Sequence, residues 1–122
     1  MKADITIKNN SEFRRIYSKG KNSATPLLVL YARKGRDPQG GRLGITVSTR
    51  VGKAVVRNRI RRRLREIYRL NRNRMNRGYD VVVVARGRSR EAGYAELERD
   101  YLKLAARLGL LKDDENDTDL SR

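Results

Sequence analysis

"YDVVVVAR", residues 79–86, sets four valines in a row between Asp80 and Ala85. A strand with one wet face would alternate apolar with polar residues. An unbroken β-branched run of this length instead predicts a strand buried on both faces, as in the middle of a covered sheet. The chain is therefore read as a small sheet with helices packed on it.

The neighbouring segments extend that reading. Downstream, Tyr94, Leu97, Tyr101, Leu104 and Leu108 recur at helical spacing up to Gly109, marking an amphipathic helix. Upstream, helical periodicity runs from about Ala54 to Met75. Before it, "RLGITVSTR" (42–50) alternates Leu43, Ile45 and Val47 with Gly44, Thr46 and Ser48, "KGRDPQGGR" (34–42) is a loop, and "TPLLVLYARK" (25–34) reads as a strand beginning after Pro26. These two strands are expected to pair as an antiparallel hairpin. Near the start, Asn9 and Glu12 have capping-box spacing, and Phe13, Ile16 and Tyr17 share one helical face before Gly20. The resulting order is αββαβα, an α+β domain over residues 1–112 with no internal repeat.

Charge indicates the class of partner. Thirty Lys and Arg against fourteen Asp and Glu give +16, a balance that favours a polyanion, most often nucleic acid, over a lipid surface. Between Arg50 and Arg77 there are twelve basic residues and one acid, so this segment carries +11 of the total. The last ten residues, "DDENDTDLSR" (113–122), reverse the sign with five acids and one base. They are expected to form an acidic, disordered tail, either a shield for the basic surface or a plain solvated end.

The basic segment is concentrated in "AVVRNRIRRRLREIYR" (54–69), with seven arginines in sixteen positions. At 100° per residue, Val56, Ile60, Leu64, Ile67 and Met75 form an apolar floor. Arg57, Arg61, Arg65, Arg69 and Arg72, with Asn58 and Arg62, occupy the flank and far side. Like charges at i and i+4 repel by a few tenths of a kcal/mol per pair, and Glu66 relieves little of it. The arrangement is tolerable beside phosphates, which match guanidinium forks bidentately and release counterions when neutralised.

A DNA major-groove reader would carry more short polar residues among its arginines, and here only Asn58 is available. Phe13, Tyr17 and Tyr31 offer stacking surfaces for unpaired bases, with ordinary core packing as the alternative for each. RNA is thus favoured over DNA. The chain has neither histidine nor cysteine, so the commonest general acid–base residue, nucleophilic triads and Cys-ligated zinc are all lacking. No phosphate-binding glycine motif occurs. A carboxylate-based phosphodiesterase has nothing in its favour, while a structural RNA-binding protein of ribosomal type is a rival. The longest wholly apolar stretch, 27–32, is too short to span a bilayer, and a soluble cytoplasmic protein without a membrane partner is expected.

"VGKAVVRNRIRRRLREIYR" (51–69) resembles the signature of the bacterial ribonuclease P protein family. The agreement extends through "NNSEFRRIYSKG" (9–20), "LLVLYARK" (27–34), "RLGITVSTRVGKAV" (42–55), "YDVVVVAR" (79–86) and "YAELERDYLKLAARLGLL" (94–111), leaving 113–122 outside. The resemblance implies a fold like domain 2 of ribosomal protein S5, with a left-handed βαβ crossover through the arginine helix, against the hand found in about 98% of such units. It implies that "STRVGKAV" (48–55) presents the free amides of a helix N-terminus to phosphate.

It also implies a subunit without catalytic residues. The RNA partner would be the endonuclease that removes the 5′ leader of precursor tRNA, with Mg²⁺ held by RNA and substrate and not by the protein, and one protein monomer per RNA. Carried over by position, Arg57, Asn58, Arg59, Arg61, Arg62, Arg65 and Arg69 would face the catalytic RNA. Phe13, Tyr17, Tyr31 and Lys53 would line a cleft for the leader. The family often has Phe where this chain has Tyr17, so the ring is kept and a hydroxyl added.

Overall fold

The structure, a computed structural model, describes residues 6, 7 and 9–112; the acidic stretch 113–122 lies outside them. Helix α1 (Asn10–Lys19) is followed by strands β1 (Lys21–Ala24), β2 (Leu28–Lys34) and β3 (Arg42–Val47), helix α2 (Ala54–Leu70), strand β4 (Tyr79–Ala85) and helix α3 (Tyr94–Arg107). Short 3-10 turns occupy Thr49–Val51, Arg72–Arg74 and Gly87–Glu91. The fold is α+β, with one four-stranded mixed sheet in the order β1-β2-β4-β3.

The valine run lies where its composition requires. β4 is an interior strand, antiparallel to β2 and parallel to β3, and Val81, Val82 and Val83 are each at most 2% exposed. Its insertion between β2 and β3 corrects the expected hairpin, because those strands never pair with each other. The 34–42 loop is locked instead by Gly35 N donating to Gly78 O (2.7 Å) and Gly78 N donating to Gly40 O (2.6 Å). The connection β3–α2–β4 joins adjacent parallel strands and is the crossover through the arginine helix.

Strand β1 adds one element to the expected order. "KNSA" has no apolar alternation and is mostly exposed. Pairing with β2 holds it, together with Lys21 Nζ donating to Leu108 O (3.1 Å) and Arg107 Nη1 donating to Ala24 O (3.1 Å).

Alternation along the strands divides the core between two faces. Leu28, Leu30 and Ala32 of β2, Val81, Val83 and Ala85 of β4, and Leu43, Ile45 and Val47 of β3 point to the side covered by α2 and α3. There they meet Ile60, Leu64, Ile67 and Tyr68 of α2 and Leu97, Tyr101, Leu104 and Ala105 of α3. The opposite face buries Val82 against Ile7 and Ile16, with Phe13, Tyr17, Tyr31 and Val84 half-buried around them. Only α1 covers this side among the described helices, so part of it remains open.

Helix ends differ from expectation in two places. Asn9 does cap α1, its Oδ1 accepting from Ser11 N (2.9 Å), but Glu12 does not close a capping box and pairs with Arg42. Helix α2 stops at Leu70 and not near Met75. Asn71 is buried there, and its Nδ2 donates to Ile67 O (2.8 Å) and Glu98 Oε2 (2.9 Å). The chain then turns, and Met75 reaches the core as a bridge partner of Leu111. Helix α3 ends at its glycine as expected, with Gly109 at φ +74°.

Candidate nucleic-acid interface

The side chains of α2 sort by angle around its axis. At 100° per residue, Arg57, Arg61, Arg65, Asn58, Arg69 and Arg62 fall within an arc of about 140°, on the side away from the buried Ile60 and Ile67. Arg62 and Arg65 are exposed and make no hydrogen bond or ion pair among the described residues. Arg57 Nε donates to Gly52 O (3.1 Å) and Arg61 Nη1 to Asn58 Oδ1 (3.2 Å), which orients both guanidinium groups while leaving donors available. Arg69 forks onto Glu66, at 3.1 and 2.6 Å. That contact holds the exposed Glu66 carboxyl below its ordinary pKa.

Arg59 does not join this face. It lies on the other flank with Arg63, where Arg59 Nη2 donates to Arg90 O (3.1 Å) and Arg63 Nη1 to Ala92 O (3.1 Å). The two guanidinium groups fasten the Gly87–Glu91 turn and its C-cap, Ala92, to α2, and Arg59 Nε is buried with no hydrogen-bond partner among the described residues.

The start of α2 adds a further electropositive feature. Ser48 caps the Thr49–Val51 turn by accepting from Arg50 N (3.3 Å), and Gly52 fits where a Cβ would come within 3.2 Å of Val56. Lys53 then holds the N-cap position without a side-chain hydrogen bond, and the first turn contains no acid. A capping oxygen would typically contribute about 1 kcal/mol here. The free amides and positive dipole end instead adjoin Lys53 and Arg57, an arrangement that disfavours the isolated helix and suits an anion.

The second feature is the open side of the sheet. Phe13 and Tyr17 project from α1 beside Tyr31 of β2. The Tyr17 ring lies 6.2 Å from Phe13 and 4.8 Å, edge-on, from Tyr31. The Tyr17 hydroxyl shares a 2.9 Å hydrogen bond with Thr46 Oγ1. Gly44 makes room for the first ring, since a Cβ there would stand 2.7 Å from Phe13 Cε1. A cavity of about 320 Å³ opens among Asn10, Phe13, Arg14, Tyr17 and Thr46. Lys53 is exposed at the α2 N-cap and is not among the residues lining this cavity.

Arg42 fixes α1 over the groove. Its Nη1 meets Glu12 Oε1 (2.8 Å), while Nη2 and Nε meet Asp80 Oδ2 and Oδ1 (2.8 and 3.3 Å). Asp80, 7% exposed, also accepts from Arg42 N (3.2 Å). Separations of 30 and 38 residues hid this clamp from sequence reading. The two carboxylates converge on the Arg42 guanidinium, whose positive charge they share. Among the described residues no group of three or more acidic, His or Cys side chains could hold a metal.

The ribonuclease P family model matches residues 1–109. The chain belongs to the ribonuclease P protein family. It is 44% identical over 105 residues to the ribonuclease P protein component of Clostridium botulinum strain 657, covering 85% of this chain and 94% of that one. It is 43% identical over 111 residues to that of Clostridium novyi, covering 90% and 98%. The fold agrees with that of the Staphylococcus aureus RNase P protein (TM-score 0.81, 28% identity, 90% and 100% covered). It agrees likewise with the Thermotoga maritima protein (TM-score 0.76, 29% identity, 84% and 96% covered).

Membership in the ribonuclease P family makes the chain a protein component of an endoribonuclease complex of tRNA processing, with RNase P RNA and tRNA as its partners. Among the described residues no helix is long and apolar enough to cross a membrane.

Proposed function

We propose that this chain grips two RNA elements at once, as a single protein monomer on a single RNA in the cytoplasm. The α2 face formed by Arg57, Asn58, Arg61, Arg62, Arg65 and Arg69 holds the phosphate backbone of the catalytic RNA. The groove between α1 and the sheet takes the single-stranded 5′ leader of precursor tRNA, with Phe13, Tyr17 and Tyr31 as stacking surfaces and Lys53 as a cation for the emerging strand. The observation carrying the reading is that Arg62 and Arg65 stand exposed and unpaired among the described residues. A solvated arginine helix would normally offset the repulsion with acids at i±3 or i±4; here the one acid of α2, Glu66, stands four residues after Arg62 but is engaged by Arg69, and Arg65 has no acid at either spacing.

The protein's chemistry is binding and positioning. The Arg42 clamp keeps α1 at a fixed height above the sheet, so the rings meet a strand at set spacing. The rigid α2 fixes the RNA relative to that groove. Cleavage belongs to the RNA and to the Mg²⁺ it binds; the protein supports that metal by neutralising phosphates and favouring the folded RNA. Arg59 acts indirectly, by securing the Gly87–Glu91 turn.

Reconstitution tests the division of labour. Purified protein alone should leave precursor tRNA intact, and adding it to RNase P RNA should restore cleavage at low Mg²⁺. Cleavage by RNA-free protein would refute the assignment of catalysis to RNA. For the groove, Phe13→Ala should weaken binding of leader-bearing precursor by roughly 1–3 kcal/mol more than that of mature tRNA; equal losses would return Phe13 to a purely structural role.

A further inference from the structure

The arginines beyond α2 have no part in the RNA grip just proposed. Arg72, Arg74 and Arg77 fall within six residues around a bridge that fastens the C-terminal segment. Met75 pairs antiparallel with Leu111, Asn76 N donates to Leu110 O (2.6 Å), and Lys112 N donates to Arg74 O (2.8 Å). The last described residue, Lys112, is thus hydrogen-bonded to the backbone of Arg74, which tethers the start of the acidic stretch beside the sequence segment holding Arg72, Arg74 and Arg77. Arg74 and Arg77 are exposed and form no ion pair among the described residues.

The next seven residues, 113–119, contain five acids: Asp113, Asp114, Glu115, Asp117 and Asp119. An extended chain covers at most about 3.3–3.6 Å per residue, so this segment can reach roughly 25 Å from its tether. A dense negative charge is therefore confined beside a dense positive one. At such effective concentrations even weak ion pairs are populated, because no translational freedom remains to be lost.

We propose that the acidic segment 113–119 docks on the Arg72–Arg77 edge of the protein and competes there with RNA phosphate. The competition rests on the proposed RNA binding; the docking does not. The segment is a tethered stand-in for phosphate, and only a polyanion of high charge density, such as a folded RNA engaging α2 at the same time, displaces it.

Two measurements test this on the full chain. The first compares arginine Nε–Hε resonances by NMR, without RNA and at low salt, between the native protein and a variant carrying Asp113→Asn, Asp114→Asn, Glu115→Gln, Asp117→Asn and Asp119→Asn. The Arg74 and Arg77 signals should differ between the two proteins and converge near 1 M salt, where screening acts over about 3 Å. Coincident signals at low salt would overturn the docking.

The second measures affinity for RNase P RNA. The neutralised variant should bind about three- to tenfold tighter at low salt, the effect of two exposed ion pairs. In an Arg74→Gln/Arg77→Gln background that gain should disappear. An undiminished gain would overturn the assigned position of the segment. Failure of every variant to bind RNA would contradict the RNA reading and the competition, while the resonance comparison would still decide the docking.

Discussion

Gly44→Ala is the substitution that most sharply separates the groove from the arginine face. The new Cβ would stand 2.7 Å from Phe13 Cε1, 2.8 Å from Cζ and 3.3 Å from Val82 Cγ2. Carbon–carbon contact is comfortable at about 3.5–4.0 Å, so the Phe13 ring must retreat by roughly 0.8–1.3 Å. Replacing a strand glycine by alanine recovers about 0.5–1 kcal/mol of backbone entropy, and overpacking costs about 1–3 kcal/mol. The net loss is about 1 kcal/mol, a fall of roughly 4 °C in Tm. The displaced ring can no longer stack at its native height, so affinity for leader-bearing precursor should fall about tenfold, within the range for one base–aromatic stack. Affinity for mature tRNA and for RNase P RNA should be unchanged. Calorimetry with paired binding measurements on precursor and mature tRNA checks both parts. An unchanged Tm would mean that Phe13 does not rest on Gly44, and equal losses for the two RNAs would refute the groove's role.

Arg65→Ala, or Arg57→Ala, should lower the slope of log K against log salt for RNA binding by about one unit for each phosphate that the side chain neutralises; an unchanged slope would remove that side chain from the interface. Tyr101→Phe should be neutral or stabilising by about 1 kcal/mol in thermal unfolding, because the buried hydroxyl has no hydrogen-bond partner among the described residues. The same substitution should reduce alkaline unfolding. Burial pushes the Tyr101 phenol well above its ordinary pKa, so the stability tied to its protonated form is complete below about pH 10. That stability is lost as pH climbs from there toward the higher folded-state value. A native protein whose stability is flat across this window would contradict the burial argument.

Local periodicity made much of the fold legible. Four consecutive valines required a strand covered on both faces, and spacing marked α1, α2 and α3. Strand pairing was less accessible because register and neighbours depend on residues distant in sequence. The doubly buried β4 nevertheless needed a partner on each side, and the long loop 34–42 was a poor hairpin turn; together these argue for its insertion between β2 and β3. Strand β1 escaped because an exposed edge needs no apolar pattern. The helical period overruns the true end of α2 because Met75 continues it, while the buried Asn71 side chain turns the backbone first.

The site was legible to the same depth. Helical angle identifies the face containing Arg57, Arg61, Arg62 and Arg65, and the same angle, applied to each residue in turn, sets Arg59 on the opposite flank. The Glu12–Arg42–Asp80 clamp unites residues from α1, β3 and β4, which sequence alone does not bring together. Gly44 carried a signal that could have been used. A glycine between Leu43 and Ile45 in an alternating strand marks close approach by another group, here the Phe13 ring.

The most direct test of the arginine face uses the absence of native cysteine. Val55, 77% exposed, borders the arc beside Arg62, and Val55→Cys adds one thiol while sparing every arginine. With a hydroxyl-radical reagent tethered there, the assembled particle should show cleavage of the RNase P RNA at a few discrete positions, whereas the reagent at Lys103→Cys on α3 should give none. Diffuse cleavage from position 55, equal to that of untethered reagent, would show the face turned to solvent and contradict the account.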